Sequence, residues 1–144
     1  MRQIYFIGIV IAGLFFLGCG EDSLDLISMD EFIEQNELEV LETASGLKYI
    51  IENPGSADRP NNTSLVTVQY VGRRTDGFIF DSHQGLRIGL NQVIPGWTEG
   101  IQLFGRGGSG TLFIPSPLGY GTAGIGADIP PNADLIFDIQ LLDF

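Results

Sequence analysis

Five aromatic side chains and one carboxylate, Tyr70, Phe80, Asp81, Trp97, Tyr120 and Phe137, are the residues whose types could build a chemical site in this chain. The nucleophilic inventory beside them is thin. His83 is the sole histidine and Cys19, the sole cysteine, lies at the end of an apolar leader. Cys–His catalysis and a multi-histidine zinc site are thereby excluded, and a serine triad could draw only on His83. The glycine-rich stretch from Gly105 to Gly110 does not sit in a strand–turn–helix unit, so it reads as a hairpin turn rather than a phosphate cradle. Asp134 and Asp138 show no partner that would raise the pKa of either, and glycosidase chemistry is not supported. An aromatic set with one carboxylate can enclose an apolar group and orient a polar one next to it. The same residues could equally be the core of a β domain, and residue type alone leaves both readings open.

The elements that must position these residues are mostly strands. From Ser64 to Gly72, Val66, Val68 and Tyr70 fall on one face by strict alternation, while Thr67 and Gln69 fall on the other. Asp76-Gly77 marks a hairpin turn, after which Phe78 and Phe80 share a side and Asp81 follows. Residues 46–51 and 110–114 predict further strands, and Leu135, Phe137, Ile139 and Leu141 give one face of a last one. Pro95-Gly96 breaks the extended chain, and Trp97, Ile101 and Phe104 then recur at the spacing of one helix face, ending at Gly105. Ser28 and Glu31 have capping-box spacing and predict a small helix to about Asn36, outside the main domain. Residues 115–134 are rich in glycine and proline; Tyr120 and two aliphatics within them predict a folded flap.

Composition agrees with one β-rich domain: 144 residues, 44% of them apolar, with 20 glycines and 7 prolines. The formal charge of −11 is unevenly placed, because nine acidic and no basic residues lie between Glu21 and Glu42. That run reads as a solvated spacer, and nucleic-acid binding is disfavoured. Residues 1–18 have a signal-peptide layout, with Arg2 followed by an apolar run of about 14 residues, short for a membrane-spanning helix. Phe16-Leu17-Gly18-Cys19 resembles a bacterial lipobox, which implies lipidation of Cys19 and a membrane anchor. The alternative is a buried cysteine in a cleaved peptide or a spanning helix. Glu21-Asp22 resembles a surface-export signal of bacterial lipoproteins. The expected location is the bacterial cell envelope, lipid-anchored and extracytoplasmic, at the outer membrane.

The ordered set Val68-Gln69-Tyr70-Val71-Gly72, Asp76-Gly77, Phe80-Asp81-Ser82, Val93-Ile94-Pro95-Gly96-Trp97, Gly119-Tyr120-Gly121, Ile129-Pro130-Pro131 and Leu135-Ile136-Phe137-Asp138 resembles the FKBP-type peptidyl-prolyl cis-trans isomerases. The resemblance implies an α+β fold in which a strongly bent antiparallel sheet of about five strands wraps one short helix. It divides the chain into a leader (1–18), an acidic tether with a short helix (19–45) and an isomerase domain (46–144). It further implies catalytic positions at Tyr70, Phe80, Asp81, Trp97, Tyr120 and Phe137, with Trp97 as the floor under the proline ring. Val93, Ile94, Ile129 and Ile88 would bind substrate, Ile94 through its backbone N–H and Tyr120 through its hydroxyl. Leu86 or Ile88 stands where a phenylalanine is frequent, Leu118 replaces a common aromatic, and Ile125 occupies a flap position that is histidine in some members.

Those implications define the expected chemistry. Substrates would be proline-containing polypeptides, no cofactor, metal or nucleic acid would be needed, and macrolide inhibitors of the family would bind. The competing expectations are a non-catalytic binding module or chaperone on the same fold, and a structural surface lipoprotein of unrelated β fold.

Overall fold

A computed structural model describes residues 26–144. Six antiparallel strands form one sheet: β1 (Leu41–Glu42), β2 (Lys48–Asn53), β3 (Leu65–Arg74), β4 (Ile79–Gly89), β5 (Ser109–Ile114) and β6 (Leu135–Asp143), in the order β1-β2-β5-β6-β3-β4. The expected α+β architecture holds, with one strand more than the alternation suggests. The addition is β1, which pairs Leu41 with Tyr49 and Glu42 with Lys48 and is too short to carry a period. β4 also runs beyond Asp81, the last residue of the expected alternation, because residues 86–89 continue the ladder opposite β3.

Alternation sets two different faces. Val68 and Tyr70 lie in register with Leu141 and Ile139 of β6, and together with Val66 they form the inner face that carries the main core. Register shifts between Val68 and Tyr70 and between Gly72 and Arg73 break the β3–β4 ladder, and such bulges bend a strand and increase its twist.

Helix α2 (Pro95–Gly100), continued by a 3₁₀ turn over Ile101–Leu103, packs on that inner face. Pro95 occupies the first turn, where its missing N–H costs nothing. Trp97, Ile101 and Phe104 are all buried, as their spacing requires. Gly96 has a second use besides breaking the strand. A Cβ there would come within 2.6 Å of the Ile114 side chain, so the helix backbone rests directly on β5.

The outer face is covered in part by helix α1 (Met29–Gln35), whose cap is Ser28 Oγ accepting from Glu31 N–H at 3.2 Å. The sequence pattern placed this helix outside the main domain, and the structure corrects that. Met29 packs with Phe113 and Ile136 in a second apolar cluster that also takes in Phe32, Ile33 and Ile50. Met29 N–H donates to Asp134 Oδ2 at 2.8 Å and Thr75 Oγ1 donates to the Ile27 carbonyl at 2.8 Å. Burial on this side explains why both Leu135 and Ile136 are enclosed, although they alternate.

Phe78 departs from the expected pattern too. It lies in the turn rather than in β4, 44% exposed, with its ring 4.4 Å from the Arg74 guanidinium carbon. The Gly105–Gly108 stretch is a turn that joins the helical segment to β5 instead of two paired strands. Its Gly105 and Gly107 N–H groups donate to the Pro54 and Leu141 carbonyls, so they are not turned toward an anion. Among the described residues no helix is long and apolar enough to cross a membrane. The leader and Cys19 lie outside the described residues.

Candidate active site

The inner face of the sheet, helix α2 and the flap enclose a cleft of about 630 Å³. Its floor is Trp97, 4% exposed, held by rings rather than by polar contacts. Tyr70 meets it edge-on at 4.9 Å between centroids, and Phe137 does so at 5.3 Å. Phe80 meets Phe137 at 5.5 Å with the planes at 82°. Edge-to-face contacts of this kind match positive ring edges to negative faces and are worth about 0.5–1.5 kcal/mol each beyond buried area. The indole Nε1–H is buried with no acceptor among the described residues, a rare situation for a polar group.

The sheet determines how the walls meet. Gly72 is opposite Phe137 across the β3–β6 ladder and opposite Asp81 across the β3–β4 ladder. A Cβ on Gly72 would lie 2.7 Å from Phe137 and 2.8 Å from Phe80, so the missing side chain is what lets the two rings converge. In a regular strand, Phe80 and Asp81 would point to opposite faces. The bulge at Phe80, between the Arg73–Ile79 and Gly72–Asp81 pairs, brings both to the cleft.

The polar groups are few. Tyr70 Oη donates to Asp81 Oδ2 at 2.5 Å. Burial pushes the Tyr70 hydroxyl pKa well above its ordinary value, and the Asp81 carboxylate adds to the shift through the hydrogen bond and its charge. Burial, followed by the Asp81 charge, also raises Tyr120. Both phenols are therefore proton donors at neutral pH. Tyr70 is occupied by Asp81, whereas the Tyr120 hydroxyl and the Ile94 N–H have no acceptor in the chain among the described residues. Ile94 holds the start of α2, its carbonyl accepting from Trp97 and Thr98.

The flap is folded, as its aliphatics suggest. Ile125 and Ile129 form an isolated bridge, and Asn132 N–H donates to the Gly121 carbonyl at 2.9 Å. It brings Tyr120 and Ile129 to the cleft that Val93 and Ile94 also line. Every described residue expected at the site thus lines one cavity, including Ile88, with Leu86 beside it. Gln92, Gly126 and Asp128 also line it and were not anticipated. Gln92 and Asp128 each precede an expected lining residue by one position, and that adjacency was the only signal available. Among the described residues no group of histidines, cysteines and carboxylates is arranged to hold a metal ion.

Comparison with known proteins accords with this geometry. The family model described as FKBP-type peptidyl-prolyl cis-trans isomerase matches residues 56–142. The chain is 44% identical over 119 residues to a probable FKBP-type peptidyl-prolyl cis-trans isomerase FkpA of Neisseria meningitidis, a match covering 78% of this chain and 44% of that protein. It is 38% identical over 119 residues to the outer membrane protein MIP of Legionella longbeachae, covering 78% of this chain and 51% of that one. The chain spans about half the length of these curated relatives. The crystal structure of FkpA from Escherichia coli superposes with a TM-score of 0.74 at 39% identity, covering 80% of this chain and 56% of that one. With the family model spanning every residue that lines the cleft, the chain belongs to the FKBP-type peptidyl-prolyl cis-trans isomerase family.

Proposed function

We propose that this protein accelerates cis–trans rotation about X–Pro bonds in polypeptides by enclosing the proline in the Trp97 cleft. The observation that carries this reading is a ring-lined floor next to two free donors, the Ile94 N–H and the Tyr120 hydroxyl. Rotation must overcome about 18–20 kcal/mol of amide resonance, yet it breaks no bond. The planar amide carries extra negative charge on its oxygen and is well solvated, whereas the twisted transition state has less charge separation. A dry apolar cleft favours the twisted form over the planar one, and only such differential binding raises the rate. Each 1.36 kcal/mol gained gives about tenfold. Tyr70, Phe80, Trp97 and Phe137 supply the walls. Val93, Ile88 and Ile129 complete them, while Ile94 and Tyr120 hold the flanking carbonyls and Asp81 orients the substrate backbone.

In this reading the protein assists folding outside the cytoplasm, in the bacterial cell envelope, anchored through a lipidated Cys19. The leader pattern supports the anchor, and the likeness to an outer membrane protein supports the location. Family macrolide inhibitors would occupy the same cleft. The test is an isomerisation assay on X–Pro peptides and on a slow-refolding protein. Acceleration that is lost in a Phe80→Ala, Asp81→Ala double variant supports catalysis. Normal peptide affinity without acceleration would instead favour a binding module. Mass spectrometry of the mature chain tests the acylation of Cys19.

A further inference from the structure

The cleft carries negative charge and nothing that cancels it. Its lining includes two carboxylates, Asp81 on the sheet side and Asp128 on the flap, and no lysine, arginine or histidine. Neither carboxylate enters an ion pair among the described residues. Asp81 accepts from Tyr70, a neutral donor that brings no opposing charge.

Asp128 is placed by an unusual contact. Arg74, 5% exposed, donates from Nη1 to the Asp128 backbone carbonyl at 2.9 Å, tying the flap to the end of β3. The remainder of that guanidinium is engaged by Asp76, through Nε at 3.1 Å and Nη2 at 2.5 Å. Arg74 therefore fixes the Asp128 backbone while Asp76 takes up its charge, and the Asp128 side chain stays exposed. The basic residue of β4, Arg87, pairs with Thr67 on the alternate face and acts on Asp143. His83 does not line the cleft and turns its Nδ1 back to accept from Gly85 N–H at 3.0 Å.

We propose that Asp128 and Asp81 make this cleft select prolines that have a lysine or arginine within two positions, and disfavour those with an acidic neighbour. The inference rests on reading the cleft as a proline site. Charges at a rim act mainly on specificity and encounter rate, and they are screened by salt.

Trp97 is the only tryptophan, so its fluorescence reports binding. The probes are three proline peptides alike except for one residue beside the proline, Lys, Gln or Glu. At low ionic strength the Lys peptide is expected to bind roughly five times more tightly than the Glu peptide, and the ratio should fall toward one near about 1 M salt. Asp128→Asn and Asp81→Asn should each lower the Lys-to-Glu ratio at least about twofold. Asp58→Asn, at a carboxylate near Arg106 and outside the cleft lining, should leave it unchanged. A wild-type ratio of one or below overturns the proposal, as does the absence of binding by all three peptides. So does a ratio that neither cleft variant changes, or one that Asp58→Asn lowers equally, since the cause would then be net charge. The same peptides in the isomerisation assay separate the two readings. Lys preference in binding without acceleration would count against catalysis and leave the selectivity intact.

Discussion

The Tyr70 hydroxyl donates to Asp81 Oδ2 at 2.5 Å, joining the two strands β3 and β4 at the wall of the cleft. It is a charge-assisted bond between a buried ring and an exposed carboxylate, and it fixes both where a proline would enter. Tyr70→Phe is therefore expected to lower stability by about 1 kcal/mol and kcat/KM by about tenfold. Denaturant titration and the peptide assay check the two figures separately. A variant as active as the wild type would show that the orientation of Asp81 does not matter.

Gly72 gives a steric test of the same wall. Its substitution by alanine would press a methyl group on the rings of Phe137 and Phe80, at 2.7 and 2.8 Å before any shift. Overpacking of this kind costs about 1–3 kcal/mol. Because both rings line the cleft, Gly72→Ala should lose activity as well as stability, with a changed Trp97 emission spectrum. Unchanged emission and full activity would mean that the rings yield without moving into the cleft.

Met29 separates stability from function. It is 4% exposed in the outer cluster, behind the sheet from the cleft. Met29→Ala should cost about 2–3 kcal/mol in denaturant unfolding, with kcat/KM of the folded protein within about twofold of the wild type. A stability close to that of the wild type would mean that α1 contributes little to holding the sheet.

The pH dependence follows from the two phenols and Asp76. Tyr70 and Tyr120 have folded-state pKa values raised above their ordinary value of 10.0, chiefly by burial. The unfolded chain therefore loses these protons first. Their stabilising contribution is complete below about pH 10 and is lost as pH rises toward the folded values. Asp76 is held below its ordinary value by the Arg74 hydrogen bond, so its contribution is present above about pH 4 and is lost as pH falls through the folded pKa. Unfolding free energies measured from pH 3 to 11 should show both flanks, and Tyr70→Phe should flatten the alkaline one.

Much of the cleft is legible in residue order. Alternation alone places Val66, Val68 and Tyr70 inward, and helical spacing alone buries Trp97, Ile101 and Phe104. The exceptions come from breaks in a period. Phe80 and Asp81 reach the same cavity through a bulge, and a bulge has no signature in a pattern of alternating types. β1 has two residues and hence no period, and it exists because Lys48 and Tyr49 offer a free edge. Helix α1 looked detached because its acidic flank dominates the composition, whereas its docking depends on Phe113 and Ile136, about 80 to 107 residues later. Asp128 has no signature in the sequence because its position is set by a backbone carbonyl, a group that every residue carries.

If the ring-lined cleft over Trp97 turns X–Pro bonds, cis–trans exchange in a short proline peptide will be faster with the protein than without it. The wild type should accelerate exchange, a Phe80→Ala, Asp81→Ala double variant should lose at least about a hundredfold, the effect of one lost wall ring and one lost orienting carboxylate at about 1.4 kcal/mol each, and a family macrolide should inhibit the wild type. A wild-type rate no faster than that of the double variant, with the peptide bound in the cleft, would contradict the account.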